Sequence, residues 1–450
     1  MELFYRVTLH EIIADALTLI EERELSSKHA LERVFRRVEG KDKETARGIA
    51  HAYVFEIEKW RAKIDFILNS VLKGSRVEDL DTYLANLLRI GTFEMKFKGV
   101  NPAIATDSVV RVVKEKFDLT RAKFANAVLR EVEKFNVERA LKRLKERDRI
   151  EWLSVRFSHP RWYVEYVVKL LGYDETVRLL LSNLRPQRYY IRVNTLKVDV
   201  DRVKRYLEEN GVRVSLTPVD DVLKVLEYEK PVTKLEWYRK GYFVIQDLAS
   251  AYVAHVLNPE PGERVLDLAA APGSKTFHAA ALMENRGEIV AVDYSYDRLI
   301  KMRERMKKLG VKNVKLVHAD GQSYTEKEKF DKIILDAPCS SSGTYRQFPE
   351  VKWRFNEEKI KRVISVQRNM LINAYRNLAG GGEMTYSTCS IRIDENEQNV
   401  LFAIEKGLEL VDYPFEWGDK GFLEIGDKVF RTWTHKHDCN SFFIAKLRKP

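Results

Sequence analysis

From residue 251 to the end, strand-like and helix-like segments alternate, and this alternation constrains the fold more than any other feature of the chain. The segments RVLDLAA, EIVAVD, VKLVHAD, KIILDAP, GEMTYST and SFFIAKLRK are short and largely apolar, with helical spacing in most of the intervals between them. Apolar strands that alternate with helices pack as a mostly parallel sheet covered on both faces. Residues 251–450 are therefore expected to form an α/β, Rossmann-like domain.

The front of the chain has a different period. Residues 8–145 carry apolar residues at i, i+3, i+4 with no alternating run between them. Ser27 is placed to cap one helix, Gly40 to end it, and Gly74, Gly99 and Pro102 to mark breaks. An all-α bundle of about seven helices is expected over residues 1–148. Residues 149–250 mix helix with RYYIRVNTLKV, VRVSLTPV and DDVLKVLEY, which predicts a small α+β, RNA-recognition-like module. The fold class is thus multidomain: bundle, small α+β module, Rossmann-like domain.

Composition narrows the partners. Of the 450 residues, 78 are Lys or Arg and 67 Asp or Glu, a net charge of +11. The surplus spreads as +5, +3 and +3 over residues 1–150, 151–250 and 251–450, so no region is strongly basic. A polyanion would have to be held by arrangement rather than by bulk charge. Three cysteines exclude a disulfide scaffold. No apolar run of about 18 residues exists and the start lacks a secretory pattern, so a cytoplasmic protein without a membrane partner is expected.

Ligands of open α/β sheets lie beyond the carboxyl ends of the strands. Here those ends carry Asp267, Asp293, Asp320 and Asp336, and Asp267 is followed by Ala269-Ala270-Ala271-Pro272-Gly273-Ser274-Lys275-Thr276. The P-loop pattern fails, because Ser274 stands where a Gly is needed, and G-x-G-x-x-G is absent. An acidic loop is a poor cradle for phosphates but suits a cation. S-adenosylmethionine, with its sulfonium, ammonium and ribose diol, fits. Asp293 is placed for the ribose hydroxyls, Asp267 and Asp320 for the amino-acid and adenine parts. Residues 269–275, Asp293, Arg298, Asp320 and Asp336 form the expected cofactor set, and no metal is expected. The competing reading of each Asp is a helix cap.

VLDLAAAPGSKT, IVAVDYSYDRL, HADG, LDAPCSSSGT and YSTCS, in this order, resemble the Nop/Sun (RsmB-like) RNA 5-methylcytosine methyltransferases. The resemblance covers roughly 180–450, including RVNTLK and HDCNSFFIAKLRK. LLRIGTFEM and FANAVLREVEK resemble a NusB-like RNA-binding domain.

Chemistry supports the same reading. C5 of cytosine is a poor nucleophile until a thiolate adds to C6, and the sequence then requires a donor at N3/N4 and loss of the C5 proton. Cys339 and Cys389 each follow a strand, in Pro338-Cys339-Ser340 and Thr388-Cys389-Ser390. Strand order in such sheets is expected to set the two loops side by side. Chemistry alone leaves open which sulfur attacks. The resemblance assigns attack to Cys389 and gives Cys339 a part in proton removal and product release. Asp336 is expected to hold the N3/N4 edge and Lys275 to orient the group. Cys439 sits at a variable place and reads as a buried hydrophobe.

The target base must leave its stack, and Arg185, Arg188, Tyr189, Tyr190, Arg192 and Asn194 are the candidates for the neighbouring contacts. Arg192, Asn194 and Arg188 are the expected RNA contacts, the first two on the resemblance. Tyr345-Arg346-Gln347, Lys352-Trp353-Arg354 and the run Lys142–Arg149 are further candidates, the last reading equally as a solvated helix face. The expected activity is RNA cytosine-C5 methylation by a monomer, on structured RNA. Ribosomal RNA is preferred and transfer RNA is the runner-up. The rivals are a non-catalytic RNA-binding assembly factor, which would lose a cysteine or a cofactor Asp, and a DNA cytosine methylase, which would not need Cys389.

Overall fold

The computed structural model describes residues 8–38, 43–354 and 356–450, so Gly40 lies outside the described residues. The chain forms two compact units. One runs to Arg185 and includes 348–354; the other comprises Pro186–Gln347 and the chain beyond Arg354.

Ten helices lie among the described residues of the first unit, from Leu9–Arg23 to Tyr173–Leu184. Their starts are fixed by side-chain caps: Thr8, Asp81, Asn101, Asp118, Asn136 and Asp148 each accept a first-turn N–H. Ser26 rather than Ser27 caps the second helix, accepting from His29 N–H. The apolar stripes meet in one core that includes Ile12, Leu17, Val54, Ile57, Leu87 and Leu129. Inside it Arg89 is 3% exposed. It donates to Asp65 at 2.7 and 3.1 Å and to Glu21 at 3.0 Å, so its charge is compensated.

The bundle does not end at residue 148. Helices Arg149–Phe157, Arg161–Leu171 and Tyr173–Leu184 belong to the same unit. Ala62 N–H donates to Ser158 Oγ at 3.1 Å. No change in composition marks 148; the chain changes period only past Arg185. Segment 348–354 is also part of this unit. Buried Lys352 donates to the Lys59 and Ser158 carbonyls at 2.8 and 2.7 Å, and Trp353 Nε1 donates to the Glu58 carbonyl at 2.9 Å. Lys352 is therefore an internal strut rather than an exposed RNA contact. In the run Lys142–Arg149, Leu144 faces inward, as does the preceding Leu141, while the basic residues are exposed, a solvated helix face.

The second unit begins with β1 (Tyr190–Val193), a helix (Val200–Glu209), β2 (Val212–Leu216), β3 (Val222–Tyr228), a short helix (Glu236–Lys240) and β4 (Phe243–Ile245). The strands pair antiparallel in the order β2-β3-β1-β4, a ferredoxin-like βαββαβ unit.

The larger sheet holds β5 (Arg264–Asp267), β6 (Glu288–Asp293), β7 (Val314–His318), β8 (Phe330–Asp336), β9 (Leu378–Thr388), β10 (Glu409–Leu410), β11 (Asp419–Lys420), β12 (Phe430–Thr432) and β13 (Phe442–Arg448). Its order is β11-β12-β13-β9-β8-β5-β6-β7, with β10 paired to β13. Strands β5 to β9 are parallel; β10 to β13 add an antiparallel edge. Chain order reverses between β5 and β8, and a crevice opens above the carboxyl ends at such a switch point. Asp267 ends β5 and Asp336 ends β8, so both face it.

Candidate active site

The loop after β5 is built for close approach. Gly273 has φ +94°, and a Cβ there would meet the Phe277 ring at 2.5 Å. Asp267 is buried at its base, accepting from Thr276 Oγ1 at 2.7 Å and from Ala269 N–H at 3.3 Å. Burial, reinforced by the Asp336 carboxylate, pushes the Asp267 carboxyl up to about 7. Asp293, ending β6, accepts Ala271 N–H at 3.0 Å and Ser295 N–H at 2.9 Å. It clamps the loop through backbone donors, and each oxygen keeps a second lone pair. Arg298 donates to the Ala271 carbonyl and lies 3.5 Å from Asp293, closing the clasp. Asp320 is exposed and accepts Gln322 N–H at 2.9 Å.

Ala269 to Ser274 thus form the floor, with Asp267, Asp293 and Asp336 ending the three adjacent strands and Asp320 beyond β7. Several carboxylates around a loop of small residues form a donor set suited to a cationic ligand bearing hydroxyls. S-adenosylmethionine fits these residues.

Asp336 joins this floor to the cysteines. Its Oδ2 accepts from Lys275 Nζ at 2.7 Å and its Oδ1 from Ser387 Oγ at 2.9 Å. Lys275 also donates to Ser250 Oγ at 2.8 Å, so its ammonium is held in place. Because β8 and β9 are adjacent and parallel, the loops that follow them run together. Cys339 Sγ and Cys389 Sγ lie 3.1 Å apart, and Cys389 Sγ is 3.5 Å from Ser341 Oγ. The hydrogen bond from Cys339 pulls the Cys389 thiol down against the opposing effect of burial. The same bond, with burial, pushes Cys339 well up. The pair thus favours ionisation at Cys389 over Cys339.

Two features hold this pair that the sequence did not announce. Glu395 is fully buried between the loops. It accepts from Ser340 N–H (2.8 Å), Ser340 Oγ (2.5 Å), Ser390 Oγ (2.7 Å) and Gln367 Nε2 (3.1 Å). Within I-R-I-D-E-N-E it reads as one more surface acid; the two serines beside the cysteines, needing an acceptor, were the available signal. Gly343 is the second. Its N–H donates to the Cys389 carbonyl at 2.9 Å and its carbonyl accepts Ser441 N–H at 3.0 Å. A Cβ there would stand 2.1 Å from the Ser441 oxygen. Ser441 is itself buried and hydrogen-bonded to Thr434. Cys439 is 1% exposed in an apolar cluster with Tyr190 and Phe442.

The expected RNA contacts fare differently. Asn194 is buried, and its amide donates to the Gly241 and Leu309 carbonyls, both at 2.8 Å. It ties two segments of backbone and offers nothing to a surface ligand. Arg192 is 2% exposed, with Nε donating to Gln246 at 2.8 Å. Arg346, also buried, holds the Pro186 carbonyl and Asp438, and Tyr345 is buried. Tyr190 is buried; Tyr189 is exposed. Arg188 is exposed and pairs with Asp438 at 3.2 Å.

A switch-point crevice ringed by carboxylates, with paired thiols at its rim, defines a Rossmann-type methyltransferase core. Residues 254–448 match the family model described as 16S rRNA methyltransferase RsmB/F, 8–134 match the NusB family, and 159–233 match an RsmF/B-like ferredoxin-like domain. "Probable ribosomal RNA small subunit methyltransferase B" of Bacillus subtilis is 25% identical, over 99% of each chain. The tRNA (cytosine(49)-C(5))-methyltransferase of Pyrococcus abyssi is 34% identical over 64% of this chain and 95% of its own. The solved structure of PH0851 is 30% identical, covers 100% of both chains and has a TM-score of 0.82. The chain spans about half the length of the first curated relatives it matches. The chain belongs to the RsmB/F (Nop/Sun) family of RNA cytosine-C5 methyltransferases, with a NusB-type domain in front of the catalytic part.

Proposed function

We propose that this protein methylates C5 of a cytosine in ribosomal RNA, with S-adenosylmethionine as methyl donor and Cys389 as covalent nucleophile. The observation that carries the reading is the pair of sulfurs 3.1 Å apart beside the carboxylate-ringed crevice. When bound, the cofactor supplies an electrophilic methyl group; residues 269–275, Asp293, Arg298, Asp320 and Asp336 would hold it.

The chain's own groups do the rest. Cys389, with its pKa lowered by Cys339, adds through sulfur to C6 of the extruded base. Electron density then builds at C5, which becomes nucleophilic. Asp336, fixed by Lys275 and Ser387, faces the N3/N4 edge. After C5 is methylated its proton passes to water, while Cys339, whose thiol is pushed well up and stays protonated, eases that loss by donating its S–H to the departing Cys389 sulfur. The C6–S bond then breaks, restoring the ring double bond and the Cys389 thiolate.

Ribosomal RNA is favoured by the NusB-type domain and by the end-to-end match with the Bacillus protein. Transfer RNA is the second reading, favoured by the Pyrococcus relative. Of the described residues, no helix is long and apolar enough to cross a membrane, and action in the cytoplasm is part of the proposal. Bisulfite sequencing of ribosomal and transfer RNA from cells with and without the gene tests it. Loss of 5-methylcytosine at a ribosomal position is expected; loss at a transfer-RNA position alone would overturn the preferred target.

A further inference from the structure

A small cavity of about 100 Å³ lies against the cofactor loop at Pro272 and Ser274, within the second unit. Among its lining residues are Arg192, Tyr238, Ser274, Arg305 and Lys308. Three are cations, and none of the lining residues is acidic. Arg192 is the telling one. It is 2% exposed, its Nε is used by Gln246, and its Nη1 has no partner among the described residues. The carboxylate acting on it, Asp221, offsets part of its charge but accepts its hydrogen bonds from His255 and His278, at 2.9 and 2.7 Å. A buried guanidinium N–H left without an acceptor is unfavourable unless an anion completes it.

The surroundings favour the same charge. Lys308 lies 4.4 Å over the Tyr238 ring, and its ammonium is pulled down by burial and by the neighbouring cations Arg305 and Lys197. Lys197 lies alongside, donating to the Lys240 and Lys308 carbonyls at 2.8 and 2.7 Å. The field is positive, and the space suits one phosphate group rather than a whole nucleotide.

We propose that this cavity is a phosphate subsite for the RNA backbone, in which Arg192, Arg305 and Lys308 take one phosphodiester next to the target nucleotide. The subsite rests on the reading of the protein as an RNA methyltransferase. Arg192 is hidden within a strand yet lines the cavity, which therefore offers its unpartnered Nη1 to a polyanion. Gripping the backbone against the cofactor loop would register the extruded base over Cys389, a contact that fixes position and carries no sequence information.

The test uses the full-length protein, the double variant Arg305→Ala/Lys308→Ala, and Arg192→Met as a separate variant. An unmodified small-subunit ribosomal RNA transcript is titrated at several salt concentrations. Losing one phosphate contact is expected to lower the salt slope by about 1. Affinity should fall about tenfold in each variant, while S-adenosylmethionine affinity and the melting temperature of the double variant stay at parental values. An unchanged affinity and slope in the double variant would overturn the subsite. Thermal stabilisation by inorganic phosphate that is lost in the double variant, with RNA binding unaltered, would leave a free-anion site and overturn the assignment to RNA. Methylation of the transcript by the parental protein separates the two claims. If the parent methylates and the variants bind as it does, only the subsite fails; absence of methylation by the parent on both this transcript and transfer RNA sinks the broader reading.

Discussion

Replacing Glu395 with Ala should be far more damaging than its place in a run of polar residues suggests. The carboxylate takes four donors from three segments: Ser340 N–H and Oγ, Ser390 Oγ and Gln367 Nε2. Each buried donor left without an acceptor costs about 1–3 kcal/mol. The four share one acceptor and relax together, so the costs do not simply add. Water admitted into the vacated space recovers part of the loss, and about 3–5 kcal/mol is expected, the range typical of breaking a buried charged network. At about 2–4 °C per kcal/mol for a unit of this size, the melting temperature should fall by about 6–20 °C. Calorimetry of the full chain with and without RNA reads this directly. Function should fall further than stability at temperatures where the variant is folded, because Ser340 and Ser390 flank the two sulfurs. Single-turnover methylation well below the melting point separates the two effects. A variant that melts within about 2 °C of the parent and methylates at the parental rate would refute the claim that Glu395 holds the cysteine loops together.

Three further outcomes follow from the same geometry. Iodoacetamide at rising pH should label Cys389 first, and Cys339→Ala should move that labelling profile to higher pH, since it removes the S–H that favours the Cys389 thiolate; mass spectrometry of the labelled peptides checks it. The Asp267 carboxyl is raised from 3.8 to about 7, so the stability tied to its neutral form is complete below pH ~4 and lost as pH rises through ~7. The melting-temperature difference between Asp267→Asn and the parent should thus be more favourable to the variant at pH 8 than at pH 5; a pH-independent difference would contradict the burial argument. Gly343→Ala places a Cβ 2.1 Å from the Ser441 oxygen and 2.9 Å from that of Cys389. It should cost about 1–3 kcal/mol and slow adduct formation, measured by denaturation and by trapping.

The parts of this molecule legible in its sequence are those written in periodicity and strand ends. β5 to β9 and β13 announced themselves as apolar runs, four of them closing on or near Asp, and the motif residues that follow β8 and β9 were readable as a pair. β10 to β12 were not foreseen, because strands of two or three residues leave no alternation to detect. The helices past residue 148 look like any others; only their packing assigns them to the first unit. Arg192 and Asn194 are expected RNA contacts on the resemblance, yet β1 is covered on both faces and all four of its residues are buried. Burial of a polar group depends on partners distant in the chain, such as Gln246 for Arg192 and Leu309 for Asn194. Glu395 was missed for the same reason: nothing local tells a structural carboxylate from a solvated one.

The central claim concerns which sulfur attacks. RNA carrying 5-fluorocytosine at the target position, incubated with the protein and S-adenosylmethionine, cannot lose a proton from C5 and should leave the protein covalently attached. The adduct is expected with the parental chain, absent with Cys389→Ser and retained with Cys339→Ser. An adduct that persists in Cys389→Ser and disappears in Cys339→Ser would contradict the assignment and exchange the two roles.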